Sequence, residues 1–76
     1  MKIVSTPLSP EYQGIVHAAA KIFESVTVWE PSVKPIHDMF YEVKPNVLFC
    51  DLKFVDNWFI KVIKDYDVVL VLFGDA

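Results

Sequence analysis

The chain is predicted to fold as α/β, a four-stranded parallel sheet with three helices in the order βαβαβαβ. Short β-branched runs alternate with stretches whose apolar residues recur every three or four positions. Two of the runs, 46–51 and 68–73, are almost continuously apolar, as strands covered on both faces of a parallel sheet are. A chain of 76 residues has room for one core, since a domain of this size buries only roughly 60% of the surface its unfolded form exposes. One domain spanning 1–76 is therefore expected.

Lys2 to Ser5 opens the chain with β-branched residues, and Thr6-Pro7-Leu8-Ser9-Pro10 breaks the strand. Ser9 and Pro10 are a helix start, serine at the N-cap and proline at the first helical position. Helix one should run from Pro10 to Glu24, with Tyr12, Ile15, Val16, Ala19, Ile22 and Phe23 on its inner stripe and Gln13, His17, Lys21 and Glu24 outside. Val26 to Trp29 is the second strand. Pro35 to Val43 is the second helix, with Ile36, Met39, Phe40 and Val43 inward and His37, Asp38, Tyr41 and Glu42 outward. After the strand from Asn46 to Asp51, Asp56 caps a third helix over 57–65 that buries Phe59, Val62, Ile63 and Tyr66. Val68 to Phe73 is the fourth strand.

Composition narrows the function classes. Seven lysines and no arginine face ten carboxylates, giving a net charge of −3. Scattered lysines make no basic patch for phosphate backbones, so no nucleic-acid partner is expected. Without the planar guanidinium fork, an anion would be held by backbone amides or lysine alone. The longest apolar run, Val68 to Phe73, is far short of the roughly 20 residues of a membrane-spanning helix. The start of the chain carries no secretory h-region, and Cys50 is the only cysteine, so a cytoplasmic location is expected.

Strand two is short and contains Thr27, as an edge strand would, whereas strand three is apolar throughout and belongs in the centre. This favours the flavodoxin-like order 2-1-3-4 over the Rossmann order 3-2-1-4. Either order leaves strand four at an edge. A long, apolar, uncharged edge is a template for another chain, so Val69, Val71 and Phe73 are the expected interface. The partner is a second domain or another copy of the chain, and the 76 residues read as an incomplete sheet.

Ligands of open α/β sheets bind beyond the carboxyl ends of the strands. Candidate ligand-binding residues there are Thr6, Ser9, Gly14, His17, Asp51 and Asp75. The Ser5-Thr6-Pro7 loop can offer hydroxyls and amides to an anion or a sugar, but with no Gly-x-Gly-x-x-Gly an ordinary capped loop is the simpler reading. Asp51 and Asp75 end two strands and could share a magnesium ion; as separate loop carboxylates they would bond only local backbone. His17 and His37, on different helices, have no partner at metal spacing and read as surface histidines. Cys50 reads as a core residue. Trp29 and Trp58 are expected to be partly exposed at the margins of their elements. No cofactor, metal site or catalytic residue is expected.

The opening Met1-Lys2-Ile3-Val4-Ser5-Thr6-Pro7, then Ser9-Pro10, Gly14 to His17 and Val26-Thr27-Val28, resembles the start of the two-domain GT-B glycosyltransferases. Lys44-Pro45-Asn46-Val47-Leu48-Phe49-Cys50 is similar to that family's third strand, with Asn46 for the usual aspartate, and Val69 to Asp75 to its fourth. The resemblance implies acceptor-side surface at Thr6, Gly14 and His17 and no turnover by this chain alone, because the sugar-nucleotide site of such enzymes lies mainly in a C-terminal domain. A second resemblance, through Lys44 to Leu52, is to response-regulator receivers, with Asp51 at the phosphoryl-accepting position. Ser5-Thr6-Pro7 replaces the acidic pair that binds magnesium there, so this likeness implies a degenerate receiver acting as a protein-interaction module. Strand order is expected to separate the two resemblances.

Overall fold

The computed structural model describes residues 1–23 and 25–74. It contains β1 (Lys2–Ser5), α1 (Pro10–Ile22), β2 (Ser25–Val28), α2 (Ile36–Val43), β3 (Val47–Asp51), a 3₁₀ turn (Leu52–Phe54), α3 (Asn57–Ile63) and β4 (Val69–Phe73). The sheet is wholly parallel in the order β2-β1-β3-β4. This is the flavodoxin-like order expected above. The four-strand Rossmann order, which would put β3 at an edge, is not adopted.

The register alternates faces cleanly. Val4, Leu48 and Cys50 are fully buried, packed with Ile36, Met39 and Phe40 of α2 and Phe59, Val62 and Ile63 of α3 in one apolar cluster. Residues of opposite parity point the other way, where Phe73 meets the Tyr12 ring of α1 at 5.5 Å and Phe49 also at 5.5 Å. Two helices thus cover one face and α1 serves the other. Asn46 ties the amino ends of three strands together: its Oδ1 accepts from the Lys2 N–H, its own N–H donates to Lys2 O, and its carbonyl accepts from the Val69 N–H.

Each cap has a local cause. Asp56 Oδ1 accepts from the Phe59 N–H at 2.7 Å, the N-cap bond expected of aspartate. Lys44 closes α2 in the left-handed conformation (φ 52°), and Pro45 follows. Ser9 occupies the N-cap of α1 but makes no side-chain cap bond; its hydroxyl turns to Asp51 instead. Gly74 passes so close to the 3₁₀ turn that a Cβ there would lie 2.9 Å from Leu52 Cδ1.

Several expectations need correction. β2 runs Ser25–Val28 rather than to Trp29, and α3 ends at Ile63 with Asp65 in a turn. The end predicted for α1 at Glu24 lies outside the described residues. The inner stripe of α1 is only partly buried, since Ile15 is 44% and Ile22 74% exposed and Ala19 is the one buried residue of the helix. A helix covering a sheet face without a second helix beside it cannot bury a stripe that wide. Trp29 is buried, not partly exposed, because its ring packs into the apolar core cluster; its indole N–H is satisfied by Lys34 O at 2.7 Å and its backbone N–H by Ser5 O at 2.8 Å.

Leu48 sits at the centre of the core, so Leu48→Ala is expected to cost about 2–5 kcal/mol, measured as a lowered midpoint in urea at unchanged slope. Gly74→Ala, forced against Leu52, should also lower the midpoint, with Leu52→Ala restoring part of the loss.

Candidate functional site

In a sheet of this order the connections from β1 and β3 leave to opposite faces, which opens a crevice between their carboxyl ends. Thr6, Ser9 and Asp51 meet there. The Thr6 N–H donates to Phe49 O at 2.8 Å, continuing the β1–β3 ladder by one residue. The ladder's next acceptor is a side chain, for the Asp51 N–H donates to Thr6 Oγ1 at 3.0 Å. Asp51 Oδ1 accepts from the Lys53 N–H at 3.1 Å, and Oδ2 from the Ser9 hydroxyl at 3.4 Å. Thr6 and Asp51 are both buried. Each side-chain oxygen of this cluster is thus engaged within the protein, and its chemistry is that of a pin between two loops.

Beside the pin, on the β2 side, lies an open groove of about 290 Å³ bordered by Thr6, Leu8, Gln13, His17, Val28 and Glu30. It exists because the β1–α1 loop folds back on the first turns of α1, where Gln13 Nε2 donates to Leu8 O at 3.4 Å. His17, expected on the outer side of its helix, borders this groove and is exposed. An imidazole, an amide and a carboxylate around an apolar floor can bond several hydroxyls of a neutral ligand. A larger cavity of about 310 Å³ lies near Phe40, Tyr41, Lys44 and Asn46 at the amino ends of the strands, the end that doubly wound sheets do not use for ligands.

The remaining candidates separate. Gly14 faces open space, with nothing within 4 Å of an added Cβ, and Asp75 lies outside the described residues, so Asp51 is not seen beside it. Among the described residues no three His, Cys, Asp or Glu side chains gather as a metal cluster. His37 is exposed and bonds the Tyr66 hydroxyl at 2.9 Å. Cys50 is buried, as expected, and its thiol is pushed up to about 11 by burial and by the neighbouring Asp51 charge, against a lowering contribution from Thr6. Of the expected interface, Val69 is 62% exposed, while Val71 and Phe73 are half-buried.

Sequence reasoning missed Gln13, placed on the outer helix face, because its role depends on how the preceding loop folds back. It also missed the cleft between Trp29 and Trp58, whose walls come from two connections far apart in the chain.

Thr6→Val keeps the shape but leaves the Asp51 N–H without its acceptor, and about 1–3 kcal/mol of stability should be lost, read by urea unfolding; Ser9→Ala should cost much less. A thiol with its pKa near 11 is protonated at pH 8, so a disulfide reagent should modify Cys50 only at the rate of unfolding, and urea should accelerate the reaction.

Among the described residues no helix is long and apolar enough to cross a membrane. No family model, curated protein or solved structure matches the chain.

Proposed function

We propose that this chain is non-catalytic alone and presents the acceptor-side surface of a glycosyltransferase-like α/β domain, completed by further structure along β4. The observation that carries this reading is the groove at the carboxyl ends of β1 and β2, where His17, Gln13 and Glu30 come together beside the Thr6 pin. Its groups suit hydroxyls. With no arginine in the chain and a carboxylate at the groove, it is poorly suited to a nucleotide diphosphate, which fits an acceptor side rather than a donor side. The sheet order β2-β1-β3-β4 is the flavodoxin-like one that suits the receiver-like alternative; in the order 3-2-1-4 the strand likened to the glycosyltransferases' third, Lys44 to Cys50, would lie at the edge beside β2.

Titration of the isotope-labelled chain with methyl hexosides is expected to shift amide resonances at Thr6, Gln13 and His17, and uridine diphosphate to leave them unmoved. His17→Ala should weaken hexoside binding about tenfold, the effect of losing one to two hydrogen bonds. Shifts by uridine diphosphate but by no hexoside would overturn the acceptor reading.

A second reading, the receiver-like interaction module, is favoured by the edge itself. Among the described residues β4 pairs only with β3; it carries no charge, and exposes Val69 on one face and Leu72, at 47%, on the other. It therefore has none of the lysine, proline or bulge that blunts natural edges. Light scattering should show association that Val69→Lys reduces; a monomer at high concentration would count against this reading.

A further inference from the structure

The face of the sheet opposite the His17 groove has its own cleft at the carboxyl ends of the strands. It measures about 190 Å³ and is walled by Trp29, Pro31, Pro35, Phe54, Asp56 and Trp58. The β2–α2 connection supplies Trp29 and the two prolines, the β3–α3 connection Phe54 and Asp56, and the first turn of α3 Trp58. Trp58, the second residue of α3, is 57% exposed. An indole left in water beside a formed cleft costs apolar hydration that an occupant would relieve. Nothing in the core requires it there, since α3 anchors itself through Phe59, Val62 and Ile63.

We propose that this cleft is a binding site for one neutral hydroxylated ring, a hexopyranose, stacked by its C–H face on Trp58 and hydrogen-bonded through its hydroxyls to Asp56. The charges around the cleft select for neutrality. The Lys53 ammonium lies 5.2 Å from the centroid of the Phe54 ring, so that π face already holds a cation and a cationic ligand would be repelled by it. Asp56 repels an anion. Asp56 is also placed to accept a hydroxyl: its Oδ1 holds the Phe59 N–H, and its other oxygen has no partner among the described residues. The prolines and the Trp29 connection are rigid, with the indole N–H of Trp29 bound to Lys34 O, so the cleft is formed before a ligand arrives. His37 meets Trp58 edge-on, with centroids 6.3 Å apart and planes at 82°, which holds the indole as a platform. The case is independent of the His17 groove, because it rests on a different set of residues on the other face.

The test is a titration of the purified chain with methyl glucosides, galactosides and mannosides, followed through the indole N–H resonances of Trp29 and Trp58 and through tryptophan fluorescence. At least one hexoside is expected to bind in the millimolar range and to shift the Trp58 resonance. Trp58→Ala should lower affinity more than tenfold, Trp58→Phe less, and Asp56→Asn, which keeps an equally good helix cap, should weaken binding severalfold with the fold intact by amide spectrum. Tyr41→Ala, an 81% exposed aromatic on α2, should change nothing. The proposal is overturned if no hexoside moves the Trp58 resonance, if Trp58→Ala binds as well as the unmodified chain, or if choline or adenosine shifts Trp58 where hexosides do not. Shifts at Trp58 without shifts at His17 would uphold this site and reject the groove; the reverse would reject this site alone.

Discussion

The pairing of β1 with β3 is the constraint on which the rest of the structure depends. These two strands are the interior of the sheet, flanked by β2 and β4, and they contribute Val4, Leu48 and Cys50 at full burial. A parallel interior strand has both faces to cover and backbone groups on both sides to pair. The chain meets these demands together. Asn46 ties β1, β3 and β4 at the amino end, and Thr6 ties β1 to β3 at the carboxyl end by lending a hydroxyl where the backbone ladder has run out. The residues that look most like a site, Thr6 and Asp51, are thus bound up in holding the sheet closed. Such a buried network is costly to disturb and has little bonding capacity left for a ligand.

The two faces of the sheet are unequal. On one side α2 and α3 enclose a continuous core that takes in Trp29 and stacks Phe40 on Tyr66 at 4.4 Å. On the other, α1 lies alone, Phe73 contacts Tyr12 and Phe49, Val69 and Ile22 stay largely in water, and Ile15 is partly exposed. Burying apolar surface is worth roughly 25 cal/mol per Å², so this side has stability to gain from a covering partner. The two grooves walled by Trp58 and by His17 both lie at the carboxyl ends of the strands, one on each face. The loops there are fixed by the core on one face and are free to shape grooves beside it.

Much of the architecture could be read from the chain. The positions of all four strands and three helices, the Asp56 cap, the inward set of α2 and the central place of β3 follow from periodicity and capping chemistry, which act over three or four residues. The misreadings have one source. Tyr12, Ile15, Val16, Ala19, Ile22 and Phe23 make a proper helical stripe, but how much of a stripe is buried depends on what lies next to the helix. Ser9 has the chemistry of a cap and uses it on a carboxylate 42 positions away. Trp29 stands at the end of a β-prone run, a position that says nothing of burial; its ring joins the core cluster, and its indole N–H reaches the carbonyl of Lys34 across the loop.

What the sequence by itself determined is the class of fold and the places of its strands and helices, because hydrophobic periodicity and capping are local and leave their mark in residue order. Only the tertiary structure decided which residues lie side by side at the ends of the strands. It paired Thr6 with Asp51, drew His17 and Gln13 to one groove, and set Trp58 beside Asp56 and the Trp29 connection on the other face. Those neighbours are joined by the crossing of connections at the ends of a twisted sheet, a geometry that spacing along the chain does not record.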